Sequence, residues 1–195
     1  MILNYFIKFI GGIFFSLIII TSTIMANEEP DFIVLQRDDQ IEVRQYKNFL
    51  TASIEVEGDR KEAINKGFRF LFKYISGENK NKESISMTIP VMQKNSGDNK
   101  WNVSFVVPKK FDLKTVPQPD NTNIQIKNNN DLKVIAITFS GLLSDSNIQE
   151  NELKLRNYIK QKGMRIEEPA IYAGYNAPWI PWFLKRNEVI LRLLN

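Results

Sequence analysis

An α+β fold is predicted by three observations: an internal repeat, two segments with helical apolar period, and short strand patterns on either side of each. Shifting the first half by 83 positions lays Ile41-Glu42-Val43-Arg44 on Ile124-Gln125-Ile126-Lys127. The same shift carries Ala52-Ser53-Ile54-Glu55-Val56-Glu57-Gly58 onto Ile135-Ala136-Ile137-Thr138-Phe139-Ser140-Gly141. Each half therefore reads strand, strand, helix, strand, strand. The expected architecture is two such units in one twisted antiparallel, barrel-like sheet, flanked by two helices.

The amino terminus precedes the first unit. Residues 1–8 carry a single Lys, residues 9–20 are almost wholly apolar, and residues 21–26 open with small polar Thr21-Ser22-Thr23 and end at Ala26, with Ile24 larger than the ideal small residue before the cut. That is the order of regions in a secretory signal, with cleavage after Ala26. The apolar core of about a dozen residues is short for a membrane span of roughly 20. The expectation is a signal peptide over 1–26 and a periplasmic or secreted domain over 27–195. The alternative is an uncleaved membrane anchor over residues 9–26.

Ile54 and Val56, and later Ile135, Ile137 and Phe139, alternate with small or polar residues, which marks strands with one buried face. The first helix spans Arg60–Ile75: Ile64, Phe68, Leu71 and Ile75 recur at spacings of three and four, and Gly77 stops it. Strands are expected at 84–89, ending at Pro90, and at 101–107, with a polar turn over 95–100. Residues 108–123, rich in Pro, Asp and Asn, link the halves. Asn128-Asn129-Asn130-Asp131 is expected to turn the second unit's first hairpin. A second helix over 147–161 has Ser144 or Ser146 as cap and Leu153, Leu155, Tyr158 and Ile159 as its apolar set. Gly163 ends it, and strands follow at 170–175 and 188–193.

Composition narrows the function. The 195 residues contain no Cys and no His, which removes Cys/His zinc sites, thiol catalysis, Ser-His-Asp triads and imidazole or thiolate iron ligation. The net charge of +4 is spread among interleaved acids and bases, with no basic and aromatic surface of the nucleic-acid kind. Acidic pairs such as Asp38-Asp39 and Glu167-Glu168 are sequence neighbours whose side chains diverge, so they lack the convergence of paired general acids. There is no phosphate-binding glycine loop. A non-catalytic binding protein is expected, without nucleic acid as partner.

The most informative stretch runs from Tyr175 to Val189. Pro178 and Pro181 force a loop that carries Trp179, Trp182 and Phe183, with Lys185 and Arg186 directly behind. Aromatic rings beside two cations suit a flat apolar ligand with acidic groups. The same rings could instead close a core beneath the loop. The first helix offers a comparable surplus, because Phe70 and Phe72 lie outside the stripe that one core face needs.

Ser86-Met87-Thr88-Ile89-Pro90-Val91, together with Gly174-Tyr175-Asn176-Ala177-Pro178-Trp179 and Arg186-Asn187-Glu188-Val189, resembles the signature segments of the SOUL heme-binding family. The likeness extends from about Phe32 to Leu193. It implies a pseudo-two-fold barrel with two helices and a porphyrin held between the first helix and the proline-rich loop. On this chain the implied cofactor-binding residues are Ile64, Phe68, Phe72, Trp179, Trp182, Lys185 and Arg186, with Asn65 and Ile180 where basic contacts are expected. The cofactor expected is non-covalent heme or another tetrapyrrole, without His ligation. Met87, Met92, Met164 or a Tyr could ligate iron in principle, but Met is more commonly core filler, so no metal ligand is assigned. A module of the same fold that binds another flat small molecule or a protein partner is the alternative. Stable membrane association is not expected once the signal is removed.

Overall fold

The computed structural model describes residues 28–194. The expected signal peptide over 1–26, and the alternative anchor over 9–26, lie outside the described residues.

The chain runs β1 (Phe32–Asp38), β2 (Ile41–Tyr46), β3 (Phe49–Glu57), α1 (Arg60–Ile75), β4 (Val91–Gly97), β5 (Lys100–Val106), β6 (Gln125–Asn129), β7 (Lys133–Phe139), α2 (Asp145–Gln161), β8 (Ile166–Gly174) and β9 (Asn187–Leu193). All nine strands form one antiparallel sheet in the order β1-β2-β7-β9-β8-β4-β5-β3-β6, curled into a half-barrel. The two repeated units meet at the central β4·β8 pair, where Met92 lies opposite Ala173. Each unit also lends its first strand to the other: β2 pairs with β7, and β6 pairs with β3.

That exchange corrects one expectation. Asn128-Asn129-Asn130-Asp131 does lead from β6 to β7, but these strands part to different neighbours instead of forming a hairpin. The repeat identifies two equivalent units without saying which copy of a strand pairs with which.

The helices cover one face. Gly58 takes a φ of +133° and Asp59 caps α1, its carboxylate accepting from the Glu62 backbone N–H at 2.9 Å. Ala63, Gly67, Leu71, Tyr74 and Ile75 form the buried side of α1. They pack on Leu50, Ala52, Ile54, Val103 and Phe105, which alternate along β3 and β5. A Cβ built on Gly67 would lie 2.6 Å from Val103, so the residue permits the close approach of α1 to β5. Ile148, Leu155 and Ile159 of α2 pack in the same way on Ile135, Ile137, Phe139, Val189 and Leu191.

Three further differences have physical reasons. Residues 84–89 are not a strand and bend at Ile89; Ile85 N–H binds Ile75 O at 2.8 Å and Ile89 N–H binds Glu28 O at 2.9 Å. Alternating polarity is the same for a strand and for a segment tethered to loops and a helix end, and here the strand starts after Pro90. β1, not foreseen, is an edge strand whose Ile33 and Leu35 are 58% and 52% exposed, so no buried alternation announces it. Finally, of the two expected caps Ser144 is the one used, so α2 begins at Asp145 instead of residue 147, and Leu153 is exposed instead of joining its core face.

Candidate functional site

Spacing of four residues puts Ile64, Phe68 and Phe72 in a row along one edge of α1. Ile64 and Phe68 are partly buried against the core beneath α1. The Phe68 ring meets Phe105 edge-on at 5.1 Å and stacks on Phe72 at 6.0 Å with 10° between planes. Phe72 is 50% exposed, so the row passes from core to solvent toward the helix end. Phe70 is exposed on the opposite flank.

The loop between β8 and β9 is held by its backbone. Tyr175 N–H binds Arg186 O at 3.2 Å, Arg186 N–H binds Asn176 Oδ1 at 2.6 Å, and Ile180 N–H binds Ala177 O at 3.1 Å. Trp182–Leu184 form one turn of 3-10 helix started by Pro181. The rings do not close a core: Trp179 is 81% exposed and Trp182 62%, while Trp182 meets Phe183 edge-on at 5.7 Å. Lys185 Nζ donates to Pro178 O at 3.2 Å across the loop.

The segment 141–145 connects this loop to α1. Gly141 N–H binds Trp182 O at 3.1 Å, and Arg60 in the first turn of α1 donates to Leu143 O at 3.0 Å. Arg60 Nε also reaches Asp145 Oδ1 at 2.6 Å. The loop thus adjoins the amino-terminal end of α1. At 1.5 Å per residue, Phe68 lies about 12 Å and Phe72 about 18 Å further along the helix axis from Arg60. Among the described residues, no ring contact joins Phe68 or Phe72 to Trp179 or Trp182.

Arg186 is placed differently from Lys185. Its guanidinium stacks 3.8 Å above Tyr175, donates to Glu29 at 3.1 Å and donates to Glu188 at 2.9 Å. Glu188 has no exposed surface and also accepts both Arg44 terminal nitrogens, at 2.9 and 3.0 Å, and the Tyr175 hydroxyl at 2.7 Å. Burial pushes the Glu188 carboxyl up, but Arg44, Arg186 and Tyr175 more than offset that and hold it below its ordinary value. Burial, reinforced by Glu188, drives the Tyr175 hydroxyl well above the usual tyrosine range. The charge of Arg186 is thereby spent inside the fold. The sequence signals neither Arg44 nor Glu188 as partners, because their pairing depends on the exchange of β2 into the other unit.

A second feature was not foreseen. The concave face of the sheet, opposite the helices, holds a cavity of about 220 Å³ lined by Thr51, Ser53, Lys94, Asn102, Ser104 and Lys127, with Met92, Leu132 and Ile171 among its apolar walls. Alternation puts its residues on the same strands as those that carry α1, which is why no local pattern marks it. Among the described residues, no group of three or more carboxylates forms a metal site. Met87, Met92 and Met164 lie apart: Met87 is partly exposed before Pro90, Met92 lines the concave face, and Met164 packs beneath α2.

The fold is thus a duplicated, strand-exchanged α+β half-barrel that leaves aromatic rings exposed at one helix and one loop. The chain belongs to the SOUL heme-binding protein family, whose sequence model matches residues 27–192. It is 31% identical over 160 residues to heme-binding protein 2 of Homo sapiens, covering 77% of this chain and 76% of that protein. Identity to heme-binding protein 1 of Mus musculus is 26% over 137 residues, covering 67% and 71%. Among solved structures, the EcmrR C-terminal domain superimposes with a TM-score of 0.61 at 11% identity over 80% of this chain and 98% of that one. A hydrolase from Listeria innocua does so at 0.56 and 8% identity, over 82% and 94%. These two likenesses show the fold alone.

Proposed function

We propose that this chain binds heme or a related tetrapyrrole non-covalently, on an open apolar surface, without His ligation. Family membership supports the ligand class. The single observation that carries the reading to residues is the exposure of large rings, Phe72 on α1 and Trp179 and Trp182 on the loop, that the fold leaves unburied. Ile64 and Phe68 extend the helix surface inward. Porphyrin faces would gain about 25 cal/mol for each Å² of apolar area removed from water, before the costs of association. Lys185 is the cation beside the loop rings that suits a propionate, whereas Arg186 holds the loop in place through Tyr175 and Glu188. Bound heme would supply its own redox or sensing chemistry; these residues orient it and exclude water.

In this reading the protein is a binding protein and not an enzyme. It is exported, with residues 1–26 as cleaved signal and a periplasmic or secreted domain from Asn27 onward. Mass spectrometry of the protein from its own cell is expected to give Asn27 as first residue; an intact Met1 in the membrane fraction would make residues 9–26 an anchor.

Heme titration followed at the Soret band tests the ligand assignment: saturation at one equivalent is expected, weakened by Phe72→Ala. A second reading, a binding module of this fold without porphyrin affinity, draws on the loop meeting the first turn of α1 while Phe68 and Phe72 lie further along it. The absence of saturable heme binding would favour that reading.

A further inference from the structure

The concave face is asymmetric where the repeat makes it nearly symmetric. The 83-residue shift carries Lys127 of β6 onto Arg44 of β2, and the pairing registers agree: Lys127 lies opposite Thr51, and Arg44 opposite Val134, the shifted counterpart of Thr51. Glu55 lies opposite Asn102 in β3·β5, while Thr138, the shifted counterpart of Glu55, lies opposite Glu188 in β7·β9. Asn102 therefore occupies the position that Glu188 holds in the other unit. One unit has a cation and a buried carboxylate, joined at 2.9 Å. The other has a cation and an amide.

The consequence is visible. Around Glu188 the face is filled by Arg44, Tyr46 and Tyr175, all buried. Around Asn102 it remains a cavity of about 220 Å³, with Lys127 and Lys94 on its wall. Among the described residues neither ammonium has a hydrogen-bond or ion-pair partner. The nearby carboxylates are taken: Lys100 lies 3.7 Å from Glu55, and Arg192 lies 3.3 Å from Glu167. The floor is a polar chain in which Ser53 and Ser104 share a hydrogen bond of 2.8 Å and Ser104 donates to Asn102 at 2.9 Å. Met92, Leu132, Pro169 and Ile171 supply apolar walls.

We infer that this cavity is a binding site for a small organic carboxylate, whose anion stands where Glu188 stands in the other unit. Lys127 and Lys94 hold the carboxylate, Ser53 and Ser104 offer hydroxyls, and the apolar walls take a body no larger than one ring. A porphyrin is too large for this volume. The site lies on the opposite face of β3 and β5 from α1, so the inference stands or falls independently of the porphyrin surface.

Calorimetric titration of the purified protein with benzoate, benzamide and inorganic phosphate tests this. Benzoate is expected to bind at one site, benzamide and phosphate at least tenfold more weakly, and Lys127→Ala to lower benzoate affinity at least tenfold. Asn102→Glu supplies the missing carboxylate internally and is expected to abolish benzoate binding while keeping or raising Tm. If Asn102→Glu does not fold, Lys94→Ala takes its place, with the same loss of benzoate affinity expected. Heme titration of Lys127→Ala is expected to match that of the parent protein. No saturable benzoate binding, equal binding of benzamide or phosphate, or undiminished binding to the folded variants would overturn the inference.

Discussion

Arg44 and Glu188 are 144 residues apart in sequence, yet both terminal nitrogens of Arg44 meet the two carboxylate oxygens of Glu188, at 2.9 and 3.0 Å, with neither side chain reaching solvent to more than a few per cent. The pair ties the first strand of one unit to the last strand of the other. Through Arg186 and Tyr175 it also fixes both roots of the aromatic loop. A structural lock and the proposed binding surface therefore share residues.

Glu188→Gln is expected to destabilise the fold by about 3–5 kcal/mol, because two guanidinium groups lose their buried counter-charge. Urea denaturation checks this. A loss below 1 kcal/mol would mean that water or Glu42 and Glu29 compensate.

The pH dependence follows from the direction of the Glu188 shift. Its folded pKa lies below the ordinary 4.5, so the stabilisation it gives is fully present above that value and is lost as pH falls through the lowered pKa. Thermal melts of the parent protein and Glu188→Gln are expected to differ most near neutrality and to converge on acidification below about pH 4.5. Tyr175, with its folded pKa raised, contributes stability below pH 10 that is lost on further alkalinisation. Tyr175→Phe is expected to blunt that alkaline loss.

Gly67→Ala separates local propensity from packing. Alanine gains about 1 kcal/mol in a helix interior, but here its Cβ meets Val103 at 2.6 Å. Overpacking costs typically about 1–3 kcal/mol, so the net effect is expected to be destabilising. Because the Val103 Cβ itself would lie 2.7 Å away, a Val103→Ala background is expected to reduce the cost without reversing its sign, which denaturant melts of the four proteins would read directly.

On the proposed surface, Phe68→Ala and Trp179→Ala are each expected to weaken heme and iron-free protoporphyrin alike, by about 1–3 kcal/mol per ring. Phe68→Ala will also loosen the core at Phe105, so its melting temperature must be measured beside its affinity. Trp179, 81% exposed, is the cleaner probe. Met87→Leu is expected to leave affinity within a few-fold, since stacking and apolar burial do not depend on a ligand to the iron.

How far the sequence could be read depends on the range of the interaction. α1 was legible to the residue because its apolar spacing, the stop at Gly77 and the strand ahead of it are local. The repeat was legible too, and with it the composition of each unit. Strand exchange was not, because β-branched alternation is the same whichever partner a strand finds. Residues 84–89 misled for the same reason: Thr88 bonds Val106 O through its side chain at 2.6 Å, so its alternation records anchoring without a ladder. At the site, the aromatic residues of α1 and the loop were legible by type. The pairing of Arg44 with Glu188 and the concave cavity were not, since both are made by strands brought together from opposite units.

The central claim is that the porphyrin is held by aromatic stacking and apolar burial and not by its iron. Parallel titration of the purified protein with ferric heme and iron-free protoporphyrin IX, read by absorbance and intrinsic tryptophan fluorescence, tests it most directly. The account predicts one-site binding of both, with affinities within a few-fold and a broad Soret band for heme. Binding of heme alone, with a sharp six-coordinate low-spin spectrum lost in Met87→Leu, would contradict it.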